Sequence, residues 1–247
     1  MPHVISMINW KGGVGKTTST LHIGVGIRLA VPTAKVLLVD LDPQCNLSYL
    51  ALGVEGYVKR VYQDGVPTLK NLFDGYFLGA APALDKLIVK GSVAASPGMV
   101  WSDVDILLSH QELILLDLQL ARTRKSGTDH RQETSYELDK LRVLANALDG
   151  VRDNYTHIII DCPPNVNLVT QNAFLASDHY LVPAIPDFLS TVGISLIKQK
   201  MIEFDTDFAG MHEYARYPRP YKSTKFLGIV FNMVDEYGGG PNRAIAS

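Results

Sequence analysis

The sequence predicts an α/β fold, a mainly parallel twisted sheet with helices on both faces, and three observations predict it. Residues 3–9 (HVISMIN), 35–40 (KVLLVD) and 156–161 (THIIID) are nearly continuous apolar, β-branched runs, the pattern of strands covered on both sides. Segments with helical spacing stand between such runs, so strand and helix alternate along the chain. A glycine-rich stretch, Lys11–Thr17, joins the first strand to the first helix, which is where α/β folds cradle phosphate.

The elements follow in order. After the strand at 3–9 comes a helix over 16–30, with Leu21, Val25 and Leu29 marking one face and Val31-Pro32 closing it. The second strand is 35–40. Between 53 and 103 the pattern weakens to a short helix around 68–73, a strand around 86–89 and a loop over Gly91–Gly98. A strand at 104–107 (VDIL) precedes helices at 109–123 and 134–150, which are separated by the polar hinge RKSGTDHRQ. The strand at 156–161 is followed by a helix at 167–177, a strand at 179–184 and a helix at 188–204. The Tyr/Pro/Arg-rich segment 209–224 reads as irregular, and a final strand at 226–232 (FLGIVFN) leads into a Gly-Pro-rich end. With no internal repeat, low-complexity tract or dividing linker, residues 1–247 are expected to form one domain.

Composition narrows the class. Twenty-three basic against 25 acidic residues give a formal charge of −2, so any contact with nucleic acid has to come from a local patch. Two cysteines, Cys45 and Cys162, make no disulfide framework. The N-terminus enters a strand pattern without a charged leader region, and no run of about 18 apolar residues occurs. The expectation is a cytoplasmic protein with no membrane partner.

The loop carries the chemistry. The pattern G-x-x-x-x-G-K-[ST] would place glycine at position 10; this chain has Trp10 there and adds a second lysine, Lys11. Gly12, Gly13 and Gly15 let backbone N–H groups approach phosphates, and the following helix start adds partial positive charge. Lys16 suits the β- and γ-phosphates, and the Thr17 hydroxyl suits Mg²⁺. Acidic residues at strand ends would complete such a site: Asp40, with Asp42 just beyond it, and Asp161 as the metal-facing aspartate of a Walker B motif. A lone aspartate after a strand is more often a turn former; three beside a phosphate loop point to a Mg²⁺-nucleotide site.

These residues carry a family resemblance. Lys11-Gly-Gly-Val-Gly-Lys-Thr-Thr18, then VLLVDLDPQCN, then IIIDCPP resemble the deviant Walker A, switch I and Walker B/switch II motifs of the ParA/MinD family of P-loop NTPases, closest to the plasmid and chromosome partitioning ATPases. TLKNLFDG and GIVFNMVD resemble the family's connecting elements in the same order, so the likeness covers most of 1–235. It implies ATP and Mg²⁺ as ligands, with Lys11, Gly12, Gly13, Val14, Gly15, Lys16, Thr17 and Thr18 as the nucleotide-binding loop. It implies that Lys11 reaches across a homodimer to the partner's nucleotide, that Asp42 positions the attacking water, and that Asp40 supports Lys16 and the metal beside Thr17 and Asp161. Asn232 matches the family's adenine-contacting asparagine. Slow hydrolysis stimulated by a ParB-like or other adaptor, non-specific DNA binding in the ATP state and association with the nucleoid are further implications. Cys45 stands where many relatives have glycine and reads as an inert small residue, and NVNLVT departs from the family's switch II. Family members usually continue through another strand and a C-terminal helix beyond the point this sequence reaches.

Three further features bear on function. Lys198, Lys200, Arg216, Arg219, Lys222 and Lys225, interleaved with Tyr214, Tyr217 and Tyr221, are candidates for a DNA patch, although charge runs are usually solvated faces. His110, His157, His179 and His212 show no metal-ligand spacing, and Trp101 reads as a packing anchor. The alternative function is a metabolic enzyme on the same scaffold, a cobyrinate diamide synthase-like or dethiobiotin synthetase-like ligase; Lys11 with VDLDPQ favours the switch class. An iron–sulfur reductase lacks its cluster cysteine here, since 163–170 contains none.

Overall fold

The computed structural model describes residues 2–96, 98–234, 236–237 and 240–241. β1 (His3–Met7) is followed by α1 (Lys16–Ala30) and β2 (Val36–Asp40). Next come α2 (Asn46–Leu52), α3 (Val54–Val58), which runs on into a π-helical turn at Lys59–Gln63, and α4 (Leu69–Leu78). Short strands β3 (Ile88–Val89), β4 (Val93–Ser96) and β5 (Met99–Trp101) precede β6 (Val104–Leu107). The second half contains α5 (Leu116–Arg122), α6 (His130–Leu141), α7 (Val143–Asp149), β7 (His157–Asp161), α8 (Leu168–Ala176), β8 (His179–Ala184), α9 (Phe188–Ala215) and β9 (Lys225–Phe231). Seven strands pair in the order β3-β6-β2-β7-β1-β8-β9. Every neighbouring pair is parallel except β3 with β6.

The continuous apolar runs explain this arrangement, because alternate side chains of the central strands go to opposite faces and both faces are covered. Val4, Leu37, Ile158 and Ile160 join a core with residues of α4, α5, α7, α8 and α9. Ile5, Leu38, Ile106 and Ile159 join a second core with α2, α3 and the inner side of α1. α1 lies tight against β2: a Cβ on Gly24 would stand 2.6 Å from Leu38 Cδ2. Its buried residues are Lys16, Ser19, Thr20 and Gly24, whereas Leu29, expected on the inner face, is 62% exposed. Leu29 lies off the buried stripe of Lys16, Thr20 and Gly24, on the face that also exposes Thr18, His22 and Gly26, while Ile27 packs against the second core.

Other expectations shift for local reasons. The helix expected at 109–123 starts as a 3₁₀ turn, Gln111–Leu115, entered where the His110 ring accepts a hydrogen bond from the Glu112 N–H. The helix expected at 134–150 begins earlier, at His130, because the Asp129 side chain caps it through the Gln132 N–H at 2.8 Å, and it breaks at Arg142. The loop expected at Gly91–Gly98 contains β4, which forms a hairpin with β5; Trp101 packs against the second core from there. α9 continues to Ala215, so the first part of 209–224 is helical, and it stops where Arg216 takes a left-handed φ of 50° ahead of Tyr217-Pro218. Residues 242–247 of the Gly-Pro-rich end lie outside the described residues. Among the described residues no helix is long and apolar enough to cross a membrane.

Candidate functional site

The loop after β1 is held from both sides. Gly13 and Gly15 have φ of 72° and 84°, conformations that side chains rarely adopt. A Cβ on Gly15 would also lie 2.9 Å from Asn232 Nδ2. Asn232 sits just past β9, where its Nδ2 donates to the Val14 carbonyl at 2.8 Å and its Oδ1 accepts from Ser19 Oγ at 3.2 Å. The resemblance implied an adenine contact for Asn232; its amide here pins the loop. At the loop's entrance Asn9 Nδ2 donates to the Pro183 carbonyl at 2.7 Å, and Asn9 Oδ1 accepts the Lys11 N–H. Trp10, in the position of the pattern's glycine, packs against the first core.

The two lysines have different surroundings. Lys16 is 7% exposed and its Nζ donates to the Lys11 carbonyl at 3.1 Å. Burial holds its pKa below the usual lysine range, while the charges of Asp161 and Asp42 pull the other way. Lys11 points outward, with its side chain 44% exposed, and pairs with Asp187 at 2.9 Å in the segment after β8.

Strand register brings the carboxylates together: Asp40 and Asp161 end the adjacent strands β2 and β7 and are direct partners. Both are fully buried. Asp40 Oδ2 accepts from the Ser48 N–H at 2.8 Å and the Ser48 hydroxyl at 2.7 Å, and its Oδ1 accepts the Asp42 N–H. It thus serves the N-terminus of α2, which Cys45 leaves without a side-chain cap. In this geometry both Asp40 carboxylate oxygens are taken up by the segment that follows β2. Asp161 differs: its Oδ2 is buried with no hydrogen-bond donor, and its Oδ1 has a long contact of 3.5 Å from Thr20 Oγ1. Burial raises the pKa of both carboxyls, with the Asp161 charge adding to the effect on Asp40 and a hydrogen bond from Thr17 opposing it at Asp161. Asp42 is also raised by burial; its Oδ1 accepts the Gln44 N–H at 2.9 Å. Among the described residues no three His, Cys, Asp or Glu side chains converge on a metal position.

Several residues of the site carry no motif signal. Ser109 Oγ donates to the Asp42 carbonyl at 2.7 Å and the Ser109 N–H donates to Ser48 Oγ, tying the segment after β2 to the end of β6. Tyr57 donates to the Ser109 carbonyl at 2.9 Å. Cys45, at φ 57°, is buried beside it, and burial pushes its thiol up to about 11, so it is no thiolate at neutral pH.

The basic candidates form no uniform patch. Arg219 pairs with Asp149, Lys222 with Asp178, and Lys200 with Glu203 at 2.9 Å. Lys198 Nζ lies 4.7 Å from the centre of the Phe226 ring. Tyr217 and Tyr221 donate to Asp139 and Asp205, so two of the three interleaved tyrosines are structural. Arg216 and Lys225 are exposed and make no ion pair among the described residues.

A family model described as AAA domain matches residues 2–209. The chain belongs to that family. Within the AAA-domain family its resemblance is to the ParA type: the chromosome partitioning protein ParA of Caulobacter vibrioides is 31% identical over 194 residues, 78% of this chain and 59% of the relative. The chain thus spans less than two thirds of the length of that relative. Two solved structures share the fold. McdA from Cyanothece, in complex with ATP, superimposes with a TM-score of 0.68 at 21% identity, covering 99% of this chain and 75% of that one. Cobyrinic acid a,c-diamide synthase from Mycobacterium smegmatis, with bound ADP and magnesium, gives 0.65 at 23% identity, covering 95% and 76%. The AAA-domain fold is therefore a P-loop NTPase sheet, as the sequence predicts.

Proposed function

We propose that the chain is a ParA-like ATPase switch, which binds ATP with Mg²⁺, dimerises around two nucleotides and hydrolyses ATP slowly until an adaptor protein stimulates it. One observation carries the reading: two lysines on one loop, one buried against the loop itself and the other exposed beyond it. A single nucleotide in cis needs only Lys16. An outward lysine serves a nucleotide bound by a second molecule, doing the work of an arginine finger in trans. Binding and association are then linked, because each nucleotide site is complete only in the dimer.

The residues fit the ligands the reading requires. The glycines and the start of α1 form an anion cradle. The donorless Asp161 Oδ2 and the Thr17 hydroxyl are hard oxygen ligands of the kind Mg²⁺ takes alongside water and phosphate oxygens, which suits a site with few protein carboxylates. The metal would neutralise phosphate charge. Asp42 orients water for attack, held by Ser109 through its carbonyl. Non-specific DNA binding by the dimer, through exposed cations such as Arg216 and Lys225, and a place on the nucleoid complete the proposal.

The test compares two variants. Lys16→Ala should abolish ATP binding, since the phosphates lose their counter-ion in cis. Lys11→Ala should keep monomer affinity within a few-fold and lose both dimerisation and turnover. Calorimetry with light scattering separates the outcomes, and a Lys11→Ala protein that dimerises and hydrolyses normally overturns the reading. A cobyrinate-type ligase would share the fold but consume ATP only with an organic-acid substrate present.

A further inference from the structure

The ion pair between Lys11 and Asp187 joins residues 176 positions apart at 2.9 Å. Nothing else in the loop requires it. The loop's entrance is already fastened to the same segment by Asn9 Nδ2 on the Pro183 carbonyl, and its exit by Asn232. Lys16 is held separately on the Lys11 carbonyl. The pair holds the Lys11 ammonium at the surface, where the side chains are 44% and 39% exposed and a second molecule can compete for the lysine.

We propose that Asp187 is a positioning residue that holds Lys11 in cis and competes for it with a partner's nucleotide. This rests on the reading of Lys11 as the trans lysine. At 2.9 Å from its own Asp187 the ammonium already spends part of its charge and one of its three N–H donors in cis, so a phosphate across an interface competes with that carboxylate for it. The contact stabilises the monomer and raises the threshold for ATP-driven association. Being charged and open to solvent, it fades as salt rises.

Its size is modest, and the dimer doubles it. Removing one exposed pair changes an equilibrium by roughly 1.4- to 5-fold, so releasing two per dimer corresponds to about 2- to 30-fold in the dimer dissociation constant. Asp187→Asn keeps the shape of the side chain and removes its charge. Sedimentation velocity with a non-hydrolysable ATP analogue and Mg²⁺ should show this variant dimerising about 2- to 30-fold more tightly than the unsubstituted chain at about 0.1 M salt. The two should converge near 1 M, where the Debye length falls to about 3 Å. Asp187→Glu, which can re-form the pair, should return the affinity towards its starting value, and analogue affinity below the dimerisation range should be the same for all three proteins.

An Asp187→Asn protein that dimerises no better at low salt, or worse at every salt, overturns the proposal. So does tightening that persists unchanged at 1 M, since that is no screened ion pair. Lys11→Ala, run alongside, separates this failure from the larger one. If Lys11→Ala dimerises normally, the trans-lysine reading has failed. If it remains monomeric while Asp187→Asn gains nothing, only the role of Asp187 has.

Discussion

The phosphate loop and the basic segment after α9 are both rich in charge, and they hold it in opposite ways. Around the loop two charged groups are buried and incompletely met: Lys16 is 7% exposed with a carbonyl as its hydrogen-bond partner, and Asp161 keeps a buried oxygen with no donor. In the basic segment the cations lie at the surface and two of the four are answered, Arg219 by Asp149 and Lys222 by Asp178. Folding desolvates a charge without satisfying it only at a cost, so unmet buried groups mark where a ligand belongs. In the basic segment, away from the phosphate loop, surface charges already paired mark structure. Counting lysines and arginines along the chain cannot make this distinction, because partners 70 or 44 residues away are invisible in it.

The comparison breaks first, and with the largest effect, at Asp42. If the buried cluster is chemical machinery, Asp42→Ala should leave ATP binding intact and trap an ATP-bound dimer. Steady-state turnover should fall by about 10²- to 10⁴-fold, the usual range for a group that handles the attacking water's proton. An Asp42→Ala protein that turns over at the unsubstituted rate would move the cluster to the structural side of the comparison.

Asp40 sharpens it, since the geometry makes this carboxylate the structural member of the cluster. Asp40→Ala would strand the Ser48 N–H and hydroxyl and the Asp42 N–H in the interior. A buried donor left unmet costs about 1–3 kcal/mol, so denaturant melts should show a loss of at least ~2 kcal/mol. Ser48→Ala removes one of those donors with its bond but leaves the buried Ser109 N–H unmet, and should cost about 1–3 kcal/mol. If Asp40→Ala keeps full stability and loses only metal-dependent activity, Asp40 belongs with Asp161 as a metal-side group.

The difference between Asp40 and Asp161 also shows how much is legible in the sequence. Both follow apolar strands, and the runs VLLVD and HIIID point correctly to buried parallel neighbours. Their register and depth follow from the same alternation that separates Leu37 from Leu38 into two cores. What Asp40 bonds to depends on α2, and α2 leaves no readable signal: its N-terminus lacks a capping side chain, and it is only seven residues long. The hairpin of β4 and β5 is hidden for a similar reason, each strand being too short to show alternation. The end of α9 reads as a loop because tyrosines and charges crowd there, although burial of Phe208 and His212 satisfies helix periodicity. Asn232 and Asp187 lie 218 and 176 residues from their loop partners, so only the closed sheet brings them to the site.

The smallest effect tests the other side of the comparison. If Arg219 and Lys222 are structural, their joint replacement by alanine should leave the salt slope of any ATP-dependent DNA binding unchanged. Replacing Arg216 and Lys225 should lower that slope by about 0.9 for each phosphate that is no longer neutralised. Stability should respond in the opposite sense. The Lys222–Asp178 pair is exposed on the lysine side, so Lys222→Ala should cost no more than about 1 kcal/mol. The cost should also depend on pH in a definite direction. Burial alone would raise the Asp178 carboxyl, but hydrogen bonds from Lys222 and the Val4 N–H outweigh it and hold its pKa below the ordinary 3.8. A carboxyl depressed by folding stabilises above its unfolded pKa and loses that contribution as pH falls through its lower, folded value. The gap between the unsubstituted chain and Lys222→Ala should therefore be constant from neutral pH down to about 4 and close below it. A gap that stays open in acid would show that Lys222 stabilises through packing of its stem; a reduced DNA salt slope in the Arg219/Lys222 variant would return both cations to the binding surface.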